Sequence, residues 1–309
     1  MKIKLSIISP VYKAEAIVDE LVKRIKEEAS EITADFEIIL VEDGGPDRSW
    51  EKIKKNCEKD QRVKGIKLSR NFGQHYAISA GLEASKGEYV IVMDCDLQDN
   101  PKYFRELFKK AEQGVDIVYT IKEERSHGSL KNITANMFYW LFNYLVDNNL
   151  QGSDKVGSYS LLTRKVVEAY LSVGDYRKHY LMVLRWLGFN YDFIKIEHAK
   201  RFEGKSSYTI KKLINHALDG ITSQSDKLLR LTAGFGLILS LISFLAALTI
   251  IVLYLVQPFQ AGWPSIMVLI LLTGGLIILS VGICGIYIGK IFEQSKNRPL
   301  YLIEKKENL

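Results

Sequence analysis

A long stretch of this 309-residue sequence lacks charged side chains, and the absence separates two kinds of segment. Between Leu231 and Gly289 there is no Asp, Glu, Lys or Arg, so all 42 basic and 36 acidic residues lie on either side of it. The residues before Leu231 have the composition of a soluble domain that is large enough to bury its own core. The uncharged residues have the composition of membrane-spanning helices.

Cysteine is scarce, and no secretory signal opens the sequence. The three cysteines, Cys57, Cys95 and Cys284, have no metal-binding or redox spacing, so we expect a reducing compartment and no disulfide framework. The first residues lead into a short strand-like run and lack the apolar core of a signal peptide. The net charge of +6 is modest and by itself fits an anionic membrane surface, an anionic substrate or no particular partner. No nucleic-acid partner is expected.

Two common nucleotide-binding motifs are also absent. No Gly-x-Gly-x-x-Gly follows the first apolar run, and the sequence has no Walker A lysine loop. These absences disfavour a nicotinamide-dependent oxidoreductase and a phosphate-loop ATPase.

Apolar, β-branched runs alternate with helical patterns over the first 120 residues, which predicts an α/β fold with a parallel sheet. Asn100 and Pro101 should begin a helix, and Gly114 should end it. The predicted strands are Leu5–Ser9, Phe36–Val41, Val63–Leu68, Tyr89–Met93 and Asp116–Thr120.

The uncharged stretch contains two segments of 25 residues each, Thr232–Val256 and Ser265–Gly289. A helix of that length measures about 38 Å, which exceeds the roughly 30 Å hydrocarbon core of a bilayer. The positive-inside rule then places both termini in the cytoplasm. The basic residues that flank the two segments are Lys227, Arg230, Lys290, Lys296 and Arg298.

Acidic residues follow two of the predicted strands: Glu42 and Asp43 follow the second, while Asp94 and Asp96 follow the fourth. In an open parallel sheet, ligands bind beyond the carboxyl ends of the strands. Two carboxylates one residue apart can share a divalent cation that bridges the oxygens of a diphosphate. We therefore expect Mg²⁺ or Mn²⁺ at Asp94 and Asp96.

The segment Ser69 to Pro101, SRNFGQHYAISAGLEASKGEYVIVMDCDLQDNP, resembles family 2 glycosyltransferases that act on polyprenyl phosphates. This group includes dolichol-phosphate-mannose synthases and bacteriophage-type GtrB enzymes, and the resemblance runs from Leu5 to the end. The matching motifs are Asn71-Phe72-Gly73, Ala80-Gly81-Leu82, Asp94-x-Asp96-Leu97-Gln98-Asp99, Trp186-x-Gly188 and Arg201-x-x-Gly204-Lys205-Ser206-Ser207-Tyr208.

The resemblance implies a GT-A fold, a divalent metal and inverting transfer of a sugar. The donor would be a nucleotide-diphosphate sugar, a UDP-sugar first of all, and the acceptor would be polyprenyl (undecaprenyl) phosphate. The nucleotide would contact Pro10, Tyr12 and Asp43. The diphosphate and metal would contact Asp94 and Asp96, with Gln98 beside the sugar. The acceptor phosphate would contact Lys122, Lys131, Arg201 and Ser206.

Several positions depart from the family pattern. Lys122 and Lys131 stand where Arg is usual and lack its bidentate geometry. Lys13-Ala14 replaces Asn-Glu, and Ser158 replaces an Asp that is viewed as a general base. A phosphate monoester, with a second pKa of about 6, is already mostly a dianion at neutral pH and needs no base. The last departure therefore fits a lipid phosphate acceptor.

Two other functions compete with this one. A processive polysaccharide synthase usually has Gln-x-x-Arg-Trp, whereas this sequence has Met182 before Arg185-Trp186. A non-catalytic membrane scaffold or flippase component would not need the Asp-x-Asp pair. The two uncharged segments also lack the charged residues that usually mark a transport path through a membrane.

The expected organisation has four parts and places a multi-pass protein in the bacterial inner membrane. They are a cytosolic GT-A catalytic domain (1–208), juxtamembrane amphipathic helices (209–231), a two-helix transmembrane hairpin (232–289) and a cytosolic tail (290–309). The segment before the hairpin mixes Lys with Ile and Leu at helical spacing, which fits an interfacial helix or a helix packed on the sheet. A homo-oligomer is left open.

Overall fold

The computed structural model describes residues 3–122, 156–176, 178–197, 227–256 and 262–309. The chain forms two compact units, and each is described by itself. The first contains the residues up to Gly128, Leu150–Ser207 and Arg298–Leu309, and the second contains Ser129–Asn149 and Tyr208–Asn297.

The first unit begins with alternating strands and helices, and the five predicted strands are confirmed to within two residues at each end. Asn100 caps a single 3₁₀ turn, Pro101–Tyr103, by accepting a hydrogen bond from the Lys102 N–H. The elements are β1 (Leu5–Val11), α1 (Val18–Ser30), β2 (Phe36–Glu42), α2 (Ser49–Lys59), β3 (Val63–Leu68), α3 (Gln74–Ala84), β4 (Tyr89–Val92), α4 (Phe104–Glu112) and β5 (Ile117–Lys122).

The later elements of this unit complete a mixed sheet. They are β6 (Val156–Thr163), α5 (Arg164–Ser172), α6 (Tyr180–Leu187), β7 (Tyr191–Ile196) and β8 (Ile303–Glu307). Within the described residues the sheet has eight strands in the order β7-β5-β6-β4-β1-β2-β3-β8. The prediction of a parallel sheet holds for β3, β2, β1 and β4, whereas β6 and β8 are antiparallel to their central neighbours β4 and β3.

Both faces of the central strands are buried, which explains their nearly continuous apolar runs. Ile7 of β1 faces one apolar core, and the next residue, Ile8, faces the other. This follows from the alternation of side chains along a strand. Helices α1, α2 and α4 cover the first core, and α3, α5 and α6 cover the second.

Strands β1, β2 and β4 end at one edge of the sheet, which we call the carboxyl edge. The parallel strands β5 and β7 also end there, at Lys122 and Ile196. The antiparallel strand β6 begins at this edge with Val156, and β8 begins there because Ile303 pairs with Leu68. The described ends of β5 and β7 and the described beginnings of β6 and β8 therefore all lie at the carboxyl edge.

The last residues form a strand of this sheet, a feature that the sequence did not predict. The Ser69 N–H donates to the Leu302 carbonyl (2.9 Å), and the Asn308 side-chain amide donates to the Val63 carbonyl (2.9 Å). The Tyr301 hydroxyl donates to Glu83. Strand β8 is short and rich in Lys and Glu, as is common for edge strands that avoid pairing with other chains.

The second unit contains two long helices, α7 (Lys227–Val256) and α8 (Trp263–Ser295), which include the two uncharged segments. Among the residues whose side chains are described, one stretch, Leu272–Ser295, is long and apolar enough to cross a membrane. It has 24 residues and a mean hydropathy of 2.0, and none of its most apolar part is buried. A two-helix transmembrane hairpin remains a prediction.

Candidate active site

Two half-buried carboxylates, Asp94 and Asp96, lie directly beyond β4. The Met93 N–H donates to the Ile8 carbonyl of β1 (3.0 Å), so Asp94 is the residue that directly follows the last hydrogen bond between these strands. Leu97 buries its side chain with a φ of 60°, an uncommon backbone conformation for a residue other than glycine. Asp96 Oδ1 accepts the Gln98 N–H in the same turn (3.1 Å). The turn thus places all three predicted catalytic residues at the carboxyl edge.

Asp94 is held by groups from three parts of the chain. Its Oδ1 accepts hydrogen bonds from Gln74 Nε2 (2.6 Å) and from Ser158 Oγ (2.8 Å). Its own backbone N–H donates to Oδ2 of the buried Asp99 (3.1 Å). The sequence motif contained Asp99, but it indicated no contact with Gln74 or Ser158. Gln74 begins α3, and Ser158 is in β6, which comes beside β4 only in the folded sheet.

Asp43, at the end of β2, is 3% exposed and joins two loops. Its carboxylate oxygens accept the N–H groups of Phe72 (2.8 Å) and Gly73 (2.9 Å). Burial raises the pKa of Asp43, although these two N–H groups and the Arg70 guanidinium act in the opposite direction. A contact between Asp43 and a nucleotide would have to use the remaining lone pairs of these oxygens.

The loop after β2 touches the loop after β3 backbone to backbone. Gly44 has a φ of +60°, and a Cβ atom there would lie 2.2 Å from the Arg70 carbonyl carbon and 2.4 Å from the Asn71 nitrogen. Only glycine fits this approach without displacing the neighbouring loop. The contact fixes Asp43 relative to the Asn71-Phe72-Gly73 motif.

Pro10 and Tyr12 lie at the end of β1, beside Asp43. Pro10 is buried in the strand, and the Asp43 N–H donates to the Val11 carbonyl (2.9 Å). Tyr12 is 44% exposed, and the Lys13 ammonium lies 5.4 Å from its ring centre. An exposed ring next to a buried carboxylate offers a stacking surface for a flat base.

Cys95, between the two aspartates, is not a reactive group. Burial raises the pKa of its thiol to about 12, so the sulfur stays protonated at neutral pH. Among the described residues, no group of three or more His, Cys, Asp and Glu side chains could hold a metal ion. Two carboxylates still fit Mg²⁺ or Mn²⁺, because such ions often complete their coordination with substrate phosphates and water.

The predicted acceptor-phosphate residues cannot be compared with the structure. Lys122 ends β5 at the carboxyl edge, but its side chain is not described. Lys131, Arg201 and Ser206 lie outside the described residues. Their roles stay predictions.

Comparisons with known proteins indicate the family of this chain. Residues 6–171 match the family model for glycosyl transferase family 2. The glycosyltransferase YkcC of Bacillus subtilis (strain 168) is 33% identical over 98% of this chain and 94% of its own length. A bactoprenol glucosyl transferase of Shigella phage SfV is 34% identical over 98% of this chain and 99% of its own length.

The fold is shared with a solved structure of low sequence identity. Glucosyl-3-phosphoglycerate synthase from Mycobacterium tuberculosis, solved with phosphoglyceric acid, superposes with a TM-score of 0.50 at 14% identity. The likeness covers 72% of this chain and 78% of the synthase. The mixed α/β sheet is therefore a GT-A-like fold, as the motifs implied. With a family model that matches more than half of its length and relatives that match nearly all of it, the chain belongs to glycosyl transferase family 2.

Proposed function

We propose that this protein transfers a sugar from a nucleotide-diphosphate sugar to a polyprenyl phosphate at the cytosolic face of the bacterial inner membrane. A UDP-sugar is the first candidate donor, and undecaprenyl phosphate is the first candidate acceptor. The observation that carries the proposal is the juxtaposition of Asp94 and Asp96 with Asp43 and Tyr12 at the carboxyl edge. Full-length relatives that are named bactoprenol glucosyl transferases support the acceptor class.

The carboxylates Asp94 and Asp96 would hold a divalent cation, Mg²⁺ or Mn²⁺. When bound, the cation supplies positive charge that stabilises the leaving nucleotide diphosphate. Tyr12 and Asp43 would position the nucleotide, and Gln98 would lie beside the sugar. The synthase that shares the fold has also been solved with Mn²⁺ and UDP, which makes these two compounds suitable first probes.

The acceptor phosphate can react without a general base at position 158. The Ser158 hydroxyl donates a hydrogen bond to Asp94, and a serine hydroxyl is not a base at neutral pH. A phosphate monoester is mostly a dianion at that pH, since its second pKa is about 6. Its oxygen forms a bond to the anomeric carbon while the bond from that carbon to the nucleotide diphosphate breaks. The reaction inverts the carbon and releases the nucleotide diphosphate.

An assay with defined donors and acceptors tests the function. Purified full-length protein in detergent is incubated with Mn²⁺, undecaprenyl phosphate and, in turn, UDP-glucose, UDP-N-acetylglucosamine and GDP-mannose. We expect one donor to give a lipid-linked monosaccharide phosphate and an equal amount of free nucleotide diphosphate. Undecaprenol, which lacks the phosphate, is the matched control. Equal turnover with undecaprenol would contradict the acceptor, and a polymeric product would indicate a processive synthase.

The C-terminal strand supports a two-pass topology with both termini in the cytoplasm. Because β8 belongs to the sheet that carries the aspartates, the end of the chain lies on the same side of the membrane as that sheet. The number of crossings between β7 and β8 must then be even. The two uncharged segments, in α7 and α8, supply two crossings.

Cysteine labelling of intact cells tests this topology. We expect a membrane-impermeant maleimide to label Ala261→Cys, which lies in the predicted external connector. Lys305→Cys, at an exposed position of β8, should be labelled only after the membrane is permeabilised. The unsubstituted protein is the control for Cys57, Cys95 and Cys284. The reverse pattern would place the proposed donor site outside the cell.

Arg201 is predicted to bind the acceptor phosphate and not the nucleotide. A charge-assisted contact is worth about 1.5–3 kcal/mol, so Arg201→Ala should raise the acceptor KM roughly 10- to 150-fold. Donor affinity, measured by calorimetry, should stay unchanged. Arg201→Lys should give an intermediate KM, because Lys retains the charge but not the bidentate geometry.

The matched control for Arg201 is Arg105→Ala, which removes a guanidinium that is paired with Glu31 at the exposed surface of α4. Arg105→Ala should change neither the acceptor KM nor the donor affinity. An equal loss of donor and acceptor affinity in Arg201→Ala would assign Arg201 to the diphosphate.

A further inference from the structure

One oxygen of Asp94 accepts two side-chain hydrogen bonds, and the two donors come from different elements. Gln74 is the first residue of α3, and its Nε2 lies 2.6 Å from Asp94 Oδ1. Ser158 is in β6, the neighbour of β4, and its Oγ lies 2.8 Å from the same oxygen. Two donors that converge on one oxygen restrict the rotation of a carboxylate, which is otherwise broad.

We propose that Gln74 and Ser158 are positioning residues that orient the Asp94 carboxylate and so determine how tightly the site binds a divalent cation together with a nucleoside diphosphate. The proposal rests on the proposed function, because it takes a cation–nucleotide site at Asp94 and Asp96 as given.

The residues before Gln74 extend this arrangement to the end of β2. The N–H groups of Phe72 and Gly73 donate to Asp43, and the next side chain, that of Gln74, donates to Asp94. Three consecutive residues therefore contact the carboxylates that follow β2 and β4. The expected nucleotide-binding and cation-binding groups are held by the same turn.

The residue type at position 158 matters for this role. A hydroxyl can donate to a carboxylate, whereas an ionised Asp can only accept. An Asp at this position would bring a second negative charge against Asp94, and like charges at that distance oppose each other. Ser158 thus puts a hydrogen-bond donor where the family pattern has a negative charge. This departure from the pattern allows position 158 to orient Asp94.

The two donors should differ in strength because their surroundings differ. Ser158 is half-buried, so water competes less for its hydrogen bond to the charged oxygen than it does for that of an exposed donor. Gln74 is exposed, and water can replace its amide. We therefore expect Ser158→Ala to have the larger effect.

Binding of Mn²⁺ to the full-length protein in detergent, with UDP at a fixed saturating concentration, tests the proposal. Electron paramagnetic resonance measures the signal of free Mn²⁺, which falls as the ion binds, and UDP without protein gives the baseline. Ser158→Ala should raise the half-saturating Mn²⁺ concentration about tenfold, and Gln74→Ala about threefold. Ser158→Thr keeps the hydroxyl and should stay near the parent value. Ser172→Ala, which removes an exposed serine hydroxyl at the end of α5, is the matched control.

The outcomes separate this proposal from the proposed function. If the parent binds Mn²⁺ no better with UDP than without it, the cation–nucleotide site itself is wrong. If the parent shows UDP-dependent binding and Ser158→Ala and Gln74→Ala bind Mn²⁺ equally well, the positioning role is overturned and the function stands. If Ser158→Ala and Ser158→Thr both lower the thermal unfolding midpoint by a similar amount, the positioning role is also overturned, because the residue would then be structural.

Discussion

The Asp96→Asn variant is expected to retain the fold and to lose at least about a hundredfold of the transfer rate. Asp96 is half-buried beyond β4, and its Oδ1 accepts the Gln98 N–H. An amide oxygen can still accept that hydrogen bond, so the turn should persist. The amide carries no charge, however, and a hard divalent cation binds carboxylates preferentially. The charge on the leaving diphosphate would then be poorly stabilised.

The rate is measured as nucleotide diphosphate released per unit time per enzyme in the presence of the lipid phosphate, and circular dichroism checks the fold. Asp35→Asn, an exposed aspartate next to the opposite end of β2, is the matched control and should be fully active. A chelator should inhibit the parent, and added Mn²⁺ or Mg²⁺ should restore it. Undiminished activity of Asp96→Asn in the presence of chelator would refute a cation at this pair.

The Glu37→Ala variant is expected to lose about 3–5 kcal/mol of the free energy of unfolding. Glu37, in β2, is 1% exposed, and its carboxylate accepts hydrogen bonds from the Ser6 hydroxyl, the Lys86 N–H and the Lys64 ammonium, each at 2.6 Å. Removing it leaves the Lys64 ammonium, whose side chain is 10% exposed, without this partner. Domains commonly have only about 5–15 kcal/mol of stability, so this loss is large.

Thermal unfolding of the full-length protein in detergent measures the effect, and a fall of roughly 6–20 °C in the midpoint is expected. Glu20→Ala breaks a more exposed ion pair with Arg24 (2.7 Å) on α1, and it should lower the midpoint much less, because exposed ion pairs contribute little to stability. Equal shifts in the two variants would show that the Glu37 network contributes no more than a surface pair. This network lies at the opposite end of β2 from Asp43, so the stability test does not disturb the proposed site.

The central strands and the aspartates beyond them could be predicted from the sequence because their signals are local. The seven consecutive buried residues of β1 and of β2 are mostly apolar, and such runs are visible without any structure. The Asp-x-Asp pair directly follows such a run. The absence of charge from Leu231 to Gly289 likewise needs no neighbour to be noticed.

The direction of the outer strands and the support of Asp94 were decided only by the tertiary structure. Ser158 is 64 residues from Asp94 along the chain and meets it because β6 pairs with β4. Strand β8 is mostly polar, and its place beside β3 depends on pairing between residues more than 200 positions apart. Such pairings depend on which strand edges remain available after the central sheet has formed, and no local pattern records that. The sequence by itself determined the parallel core, the paired aspartates and the uncharged helices, whereas long-range strand pairing determined which side chains hold Asp94.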